Sequence, residues 1–374
     1  MNVSLMKTVD NLLGRIAVSL LPRPASSVIP ADIRSILIIR PGGIGDAVLL
    51  VPALLAFKEK FPSAKITILA EQRNCAVFRL CPAVDRVLLY DRSPDLLKAV
   101  RGRYDVVIDS EQWHRLSAVV ARITSAPVLI GFATNERSRL FTHQIGYSHD
   151  DYEAVSFCNL MEPLGVQAGC SVERYLSVPE EVAATASKLL GDYETVPFVT
   201  IFPGASIPER RWGADRFRRV AELLSVFGVR VVVVGGREDR QAGETIVAEG
   251  LGLNLVAQTS LEVTAAILDR SALLVSGDSG VLHIAVGLGK PTVSLFGPGR
   301  AKKWAPQGER HIVINRKLPC SPCTTFGTTP SCLRDAECLR TITPDEVANA
   351  VTMLLTAEGV TPSRCCKRDW IEVV

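Results

Sequence analysis

The chain begins the same structural phrase twice. Ile36-Leu37-Ile38-Ile39 is an unbroken apolar, β-branched run cut off by Pro41-Gly42-Gly43-Ile44-Gly45-Asp46, and Phe198-Val199-Thr200-Ile201-Phe202 is cut off by Pro203-Gly204-Ala205-Ser206. A strand that is apolar at every position is covered on both faces, which is the situation of a parallel sheet sandwiched by helices. Helices are predicted after each loop, over residues 46–60 and 215–227. Further strands are predicted at 66–70, 86–90, 105–109 and 128–131 in the first half, and at 229–234, 272–275 and 292–296 in the second. Strands alternating with helices require right-handed crossovers and hence an α/β fold with one doubly wound, Rossmann-like parallel sheet in each half. No period is tight enough for a solenoid.

The 374 residues suffice for two such domains. The expected layout is an N-terminal helix and linker over 1–30, a first domain over 31–180, a second over 195–342, and a C-terminal helix and tail over 343–374. Thr343 and Pro344 suit the N-cap and first position of that last helix. A formal charge of +3 is too small to argue for nucleic acid as a partner. No uncharged apolar run approaches the roughly 18 residues of a membrane span, and the first 24 residues lack the continuous apolar core of a signal peptide. The expectation is a cytoplasmic protein whose ten cysteines are thiols. Leu5, Val9, Leu12, Ile16 and Leu20 recur at helical spacing before Pro22 and Pro24. That stripe either covers the protein's own surface or, with Lys7, Arg15 and Arg23, lies on a membrane.

The loops after the predicted strands carry the chemistry, because ligands of open α/β sheets bind at the carboxyl ends of the strands. Asp46 follows a glycine run that keeps side chains away; it is either a helix cap or a functional carboxylate. Gly204, Ala205 and Ser206 precede Arg210 and Arg211, an arrangement that offers backbone N–H groups and guanidinium forks to a phosphate. Ser276-Gly277-Asp278-Ser279-Gly280-Val281-Leu282-His283 reads as strand, polar turn and helix start.

The Asp278-Ser279-Gly280-x-x-His283 segment resembles the donor-site signature of the family 9 glycosyltransferases, the lipopolysaccharide heptosyltransferase family. Residues 36–54, with Gly43, Gly45 and Asp46, are similar to that family's N-terminal motif, and Arg210-Arg211-Trp212 to its basic, phosphate-contacting segment, with Arg210 standing where the family has Lys. The resemblance spans about residues 33–350 and implies the GT-B arrangement, two Rossmann-like domains facing across a cleft, with a C-terminal helix that often returns to the first domain. It implies an inverting transfer of a heptose or related sugar from a nucleotide sugar, expected to be ADP-heptose, to a lipopolysaccharide core or another cell-surface glycan. Asp46 would be the catalytic base. Arg210, Arg211, Glu238 at the ribose, Thr259 beside the base, and Asp278 to His283 would hold the donor. Arg137, Arg139 and His143, in a predicted loop over 131–147, are acceptor candidates. The acceptor would be a glycolipid such as lipid A-core, met at the cytoplasmic face of the inner membrane.

No Asp-x-Asp occurs, in keeping with a reaction that needs no metal or cofactor beyond the sugar nucleotide. Cys320, Cys323, Cys332 and Cys338 are spaced so that they form either a structural zinc site or a reduced Cys-rich loop. Two other functions share these features: a nucleotide-sugar epimerase on the same fold, and a non-catalytic nucleotide-sugar-binding protein.

Overall fold

The computed structural model describes residues 10–167, 173–325 and 328–360. It divides into two compact units, Met1–Ser177 and Val178–Val374.

The first unit is built on six parallel strands in the order β3-β2-β1-β4-β5-β6. These are β1 (Ser35–Arg40), β2 (Lys65–Ala70), β3 (Arg86–Leu89), β4 (Val106–Asp109), β5 (Val128–Phe132) and β6 (His143–Ile145). β1 is central, with Ile38 paired to Ile68 on one side and Ile108 on the other. Ile36 to Ile39 are completely buried, as their unbroken apolar pattern requires. β6 was not expected; it lies inside the predicted 131–147 loop and pairs with β5.

The N-terminal segment is a turn of π-helix (Asp10–Gly14) running into α1 (Arg15–Leu20). It packs on the first unit, but through Val18, which is buried in the core. Of the stripe's residues whose side chains are described, Ile16 and Leu20 are exposed. Leu5 and Val9 lie outside the described residues. Of the helices that follow, those that frame the site are α2 (Ile44–Lys60), α3 (Arg115–Ile123) and α4 (Glu153–Asn159).

The second unit repeats the plan with β7 (Phe198–Phe202), β8 (Arg230–Val233), β9 (Leu253–Asn254), β10 (Leu273–Gly277), β11 (Thr292–Phe296) and β12 (His311–Asn315), all parallel. Their order is β12-β11-β10-β7-β8-β9. Counted within each unit, both sheets run 3-2-1-4-5-6, so each changes direction between its first and fourth strands. That switch point leaves a crevice beyond the strand ends, where doubly wound folds bind ligands. It falls between β1 and β4 in the first unit and between β7 and β10 in the second.

α5 (Ala214–Val226), α6 (Gly280–Gly287) and α7 (Pro344–Ala357) complete the second unit's relevant helices. α7 packs within the second unit. Val347, Val351, Leu354 and Leu355 are buried in one core with Phe217 of α5 and Trp212, whose Nε1 donates to Ile342 O at 3.2 Å. Each such aliphatic burial contributes about 1.5–3 kcal/mol, which holds the helix on this unit. Its start is as expected: Thr343 is the N-cap, Pro344 follows, and Thr343 and Glu346 form a reciprocal capping box.

Candidate active site

In the first unit the switch point is occupied by a polar network. Gly43, extended at φ −69°, is the residue before α2, and Gly45 and Asp46 lie in the helix's first turn. Gly42 needs its positive φ of 107° to make the turn out of β1, and a Cβ there would meet Arg40 Nη2 at 3.2 Å. A Cβ on Gly43 would stand 2.8 Å from Asp46 Oδ2, so this glycine lets the carboxylate fold over the loop.

Asp46 is not a helix cap, since the helix start has no side-chain cap. Its Oδ1 accepts instead from Gln112 Nε2, at 3.1 Å, across the gap from the end of β4. The same nitrogen donates to Glu153 Oε1 of α4 at 2.6 Å, and Tyr147 donates to Glu153 Oε2 at 3.0 Å. Gln112 cannot flip: its Oε1 accepts from Arg40 Nη1 at 3.2 Å and Nη2 at 3.3 Å. Arg40, fully buried at the end of β1, also pairs with Glu111 at 2.8 Å and donates to the carbonyls of Pro41 and Ser110.

Burial pushes the Asp46 carboxyl above its ordinary value; the nearby Arg40 charge and the Gln112 bond offset this only in part. Burial acts on Glu111 as well, but direct pairing with Arg40 overcomes it and holds that carboxyl below its ordinary value. The network therefore separates two carboxylates, a firmly ionised Glu111 and a more basic Asp46, the kind of division that general-base chemistry uses. Gln112, Glu111 and Glu153 were not singled out in the sequence. The signal available was the polar run Glu111-Gln112-Trp113-His114 directly after an apolar strand; using it required knowing that this strand sits beside β1.

In the second unit Arg210 ends a short 3-10 turn (Pro208–Arg210), and its Nη1 pairs with Asp278 Oδ2 at 2.9 Å across the β7/β10 switch point. Gly277 packs under Arg210, where a Cβ would meet its carbonyl oxygen at 3.2 Å. Ser279 caps α6 by accepting from Leu282 N and bonds Ser276 at 2.9 Å, which leaves the Gly280 end of the helix with outward backbone N–H groups. His283 is buried, its Nδ1 finds no hydrogen-bond partner among the described residues, and burial pushes its pKa down to about 4, so the ring is neutral.

Gly204 and Ala205 are buried and Ser206 is exposed; the exposed Arg211 donates to Ala205 O at 3.1 Å. Gly204 is pressed against Asp239, where a Cβ would meet Oδ2 at 2.5 Å, and Asp239 in turn accepts from Gly236 N at 2.9 Å. Asp239 thus ties the β7 and β8 loops together, while its neighbour Glu238 is exposed. Thr259 bonds Thr264 at 2.8 Å.

The three acceptor candidates each have partners inside the first unit. Arg137 is fully buried and pairs with Asp109 inside the first unit, so it offers no charge to a ligand. Arg139 donates to the carbonyls of Val18 and Ser19 at 2.9 and 3.0 Å, holding the end of α1. His143 belongs to β6 and bonds Thr142 at 2.9 Å. Among the described residues no three His, Cys, Asp or Glu side chains are arranged to hold a metal, and Cys338 turns into the core while Cys320 and Cys332 are exposed. The seven described cysteines are free thiols.

Residues 94–333 match the sequence model of glycosyltransferase family 9 (heptosyltransferase). The chain belongs to glycosyltransferase family 9. It is accordingly a glycosyltransferase. Lipooligosaccharide heptosyltransferase 2 of Haemophilus ducreyi is 25% identical over 310 residues, 75% of this chain and 88% of the relative. The family 9 glycosyltransferase of Veillonella parvula superposes with a TM-score of 0.74 at 21% identity, over 89% of this chain and all of that one (100%). The Escherichia coli ADP-heptose LPS heptosyltransferase II superposes with a TM-score of 0.72 at 22% identity, over 87% and 99%. The two parallel six-stranded sheets are thus those of the GT-B fold, as family 9 membership led one to expect.

Proposed function

We propose that this family 9 enzyme transfers a heptose from ADP-heptose to a lipopolysaccharide-type acceptor, with inversion and without a divalent metal. The names of its relatives support the sugar and the acceptor class. The observation that carries the mechanism is the Asp46 carboxylate, raised in basicity and held by Gln112 at the first unit's switch point. In the proposed step Asp46 takes the proton of an acceptor hydroxyl as that oxygen bonds to the anomeric carbon. The bond from that carbon to the diphosphate oxygen breaks on the opposite face, and ADP leaves with the electron pair. Arg210, oriented by Asp278, and the N–H groups at the start of α6 would neutralise the departing diphosphate, the work a metal does elsewhere. The orphaned Nδ1 of His283 would gain a partner in the bound donor.

The test is ADP release and the mass of the glycolipid product, measured with ADP-heptose and a heptose-deficient lipopolysaccharide core, with and without EDTA. Expected is a mass gain of one heptose in both conditions, and none with Asp46→Asn. A rearranged sugar from donor alone would instead identify an epimerase, and donor binding without any product a binding protein.

A further inference from the structure

The N-terminal segment is pinned to the first unit with its apolar side facing outward. Asp10 Oδ1 accepts from the backbone N–H groups of Arg115 and Leu116, both at 2.8 Å, and so caps α3 from outside it. Gly14 lies so close to α3 that a Cβ would meet Arg115 Cβ at 2.8 Å. Val18 enters the core, and Arg139 and Arg122 hold the carbonyls of Val18, Ser19 and Pro22. The opposite face carries Leu13, Ile16 and Leu20, 53%, 52% and 78% exposed at helical spacing.

This patch has a charge signature as well as an apolar one. Between residues 11 and 30 the only charged side chains are Arg15 and Arg23, both exposed; Arg15 reaches Glu136 at 3.4 Å, an acid already held by Arg115 at 2.6 Å, and Arg23 is left at the border of the patch. Exposed leucine and isoleucine in water are unfavourable, and a contiguous set of them marks a contact surface. A helix with an apolar outer face and a basic border lies in the headgroup region of a bilayer, its apolar side chains among the acyl chains and its arginines at anionic phosphates. We propose that Leu13, Ile16 and Leu20, bordered by Arg15 and Arg23, form a docking surface for an anionic phospholipid bilayer. Because the segment is anchored by Asp10, Val18 and Arg139, docking fixes the orientation of the first unit on the membrane instead of merely tethering it. The inference is independent of the transfer reaction, since binding is read without donor or acceptor.

The experiment is flotation of the full chain with vesicles of phosphatidylethanolamine and phosphatidylglycerol, against phosphatidylcholine alone, together with its molar mass in solution. The expected result is binding to the anionic vesicles, weakened by salt and on neutral lipid. Leu13→Ser/Ile16→Ser/Leu20→Ser should weaken it by about tenfold or more with an unchanged melting temperature. Arg15→Gln/Arg23→Gln, which leaves the apolar face intact, should cost up to about fivefold per charge. Equal binding by wild type and both variants overturns the proposal, as does absence of binding by the wild type. So does a wild-type dimer that the triple serine variant converts to monomer, which would show a second copy to be the occupant.

Discussion

Gln112 Nε2 stands 3.1 Å from Asp46 Oδ1, at the point where the first sheet reverses its strand order. Because Arg40 holds the amide oxygen, the amide nitrogen must face the carboxylates. Asp46 is thereby hydrogen-bonded by a neutral donor, while Arg40 pairs directly with Glu111 and acts on Asp46 only through space. A direct ion pair with Arg40 would have lowered the Asp46 pKa and made it a poorer base.

Asp46→Asn removes the proton acceptor and should lower kcat by about 10²–10⁴-fold with the donor KM little changed. The wild-type rate should fall as pH drops through a pKa above the ordinary aspartate value, because only the ionised form accepts a proton. Gln112→Leu deletes a bond that favours the charged form. It should shift that acid limb to higher pH and lower kcat by about 10-fold or more, the worth of one hydrogen bond to an ionised carboxylate. A pH–rate profile of the two variants against wild type checks both; an unmoved limb in Gln112→Leu would assign Gln112 a purely structural role.

Arg210 and Asp278 form the corresponding pair across the second switch point, at 2.9 Å. Arg210→Ala should raise the donor KM strongly, and Asp278→Asn should do so less, since it leaves the charge but releases its orientation. A charge-assisted bond lost costs about 1.5–3 kcal/mol, or roughly 10–150-fold in affinity. Arg210→Lys should not restore wild-type affinity, because an ammonium cannot bond Asp278 and a phosphate through one planar fork. Titration calorimetry with ADP reads these effects without acceptor. His283, neutral with a pKa near 4, should add no inflection to ADP affinity across the neutral range.

Much of this architecture was readable in the chain because buried parallel strands advertise themselves. Ile36 to Ile39 and Phe198 to Phe202 are apolar throughout, and the structure has strands there. Asp278, Ser279 and Arg210 were legible because short polar loops follow such strands. Gln112 and Glu153 were not, since their significance lies in strand order and in α4 approaching from 41 residues away. The burial of Arg137 was hidden for a related reason. Arginine in a polar-looking loop reads as exposed, but Arg137 is drawn inward by Asp109 at the end of β4, a partner 28 residues earlier. The N-terminal stripe left two readings open, and spacing alone could not choose between them, because Val18 and Gly14, not Ile16 and Leu20, meet the first unit.

The Arg137–Asp109 pair should behave as a buried ion pair, both side chains being fully inaccessible. Arg137→Ala leaves Asp109 charged and uncompensated, which typically costs about 3–5 kcal/mol. Replacing both, as Arg137→Met with Asp109→Leu, should recover most of that loss. Hydrogen exchange of the β4 and β5 amides localises the effect to the first unit, and equal destabilisation by the single and double variants would contradict it.

In the second unit the start of α7 offers a pH-sensitive test. Thr343 Oγ1 accepts from Glu346 N at 3.3 Å, Glu346 Oε2 accepts from Thr343 N at 2.7 Å, and Arg316 clasps the Glu346 carboxylate through both of its terminal nitrogens. The Arg316 bonds, then the cap, hold the Glu346 pKa down to about 2, from 4.5. A carboxyl that titrates lower when folded contributes its stabilisation fully above the unfolded value of 4.5 and loses it as pH falls towards about 2. Thr343→Ala should cost about 1 kcal/mol at neutral pH, the usual worth of an N-cap. Glu346→Gln should destabilise α7 at neutral pH, and its difference from wild type should shrink on acidification through that window. Exchange rates of the α7 amides between neutral and acid pH measure both effects, and a pH-independent difference would mean that the Glu346 charge plays no part.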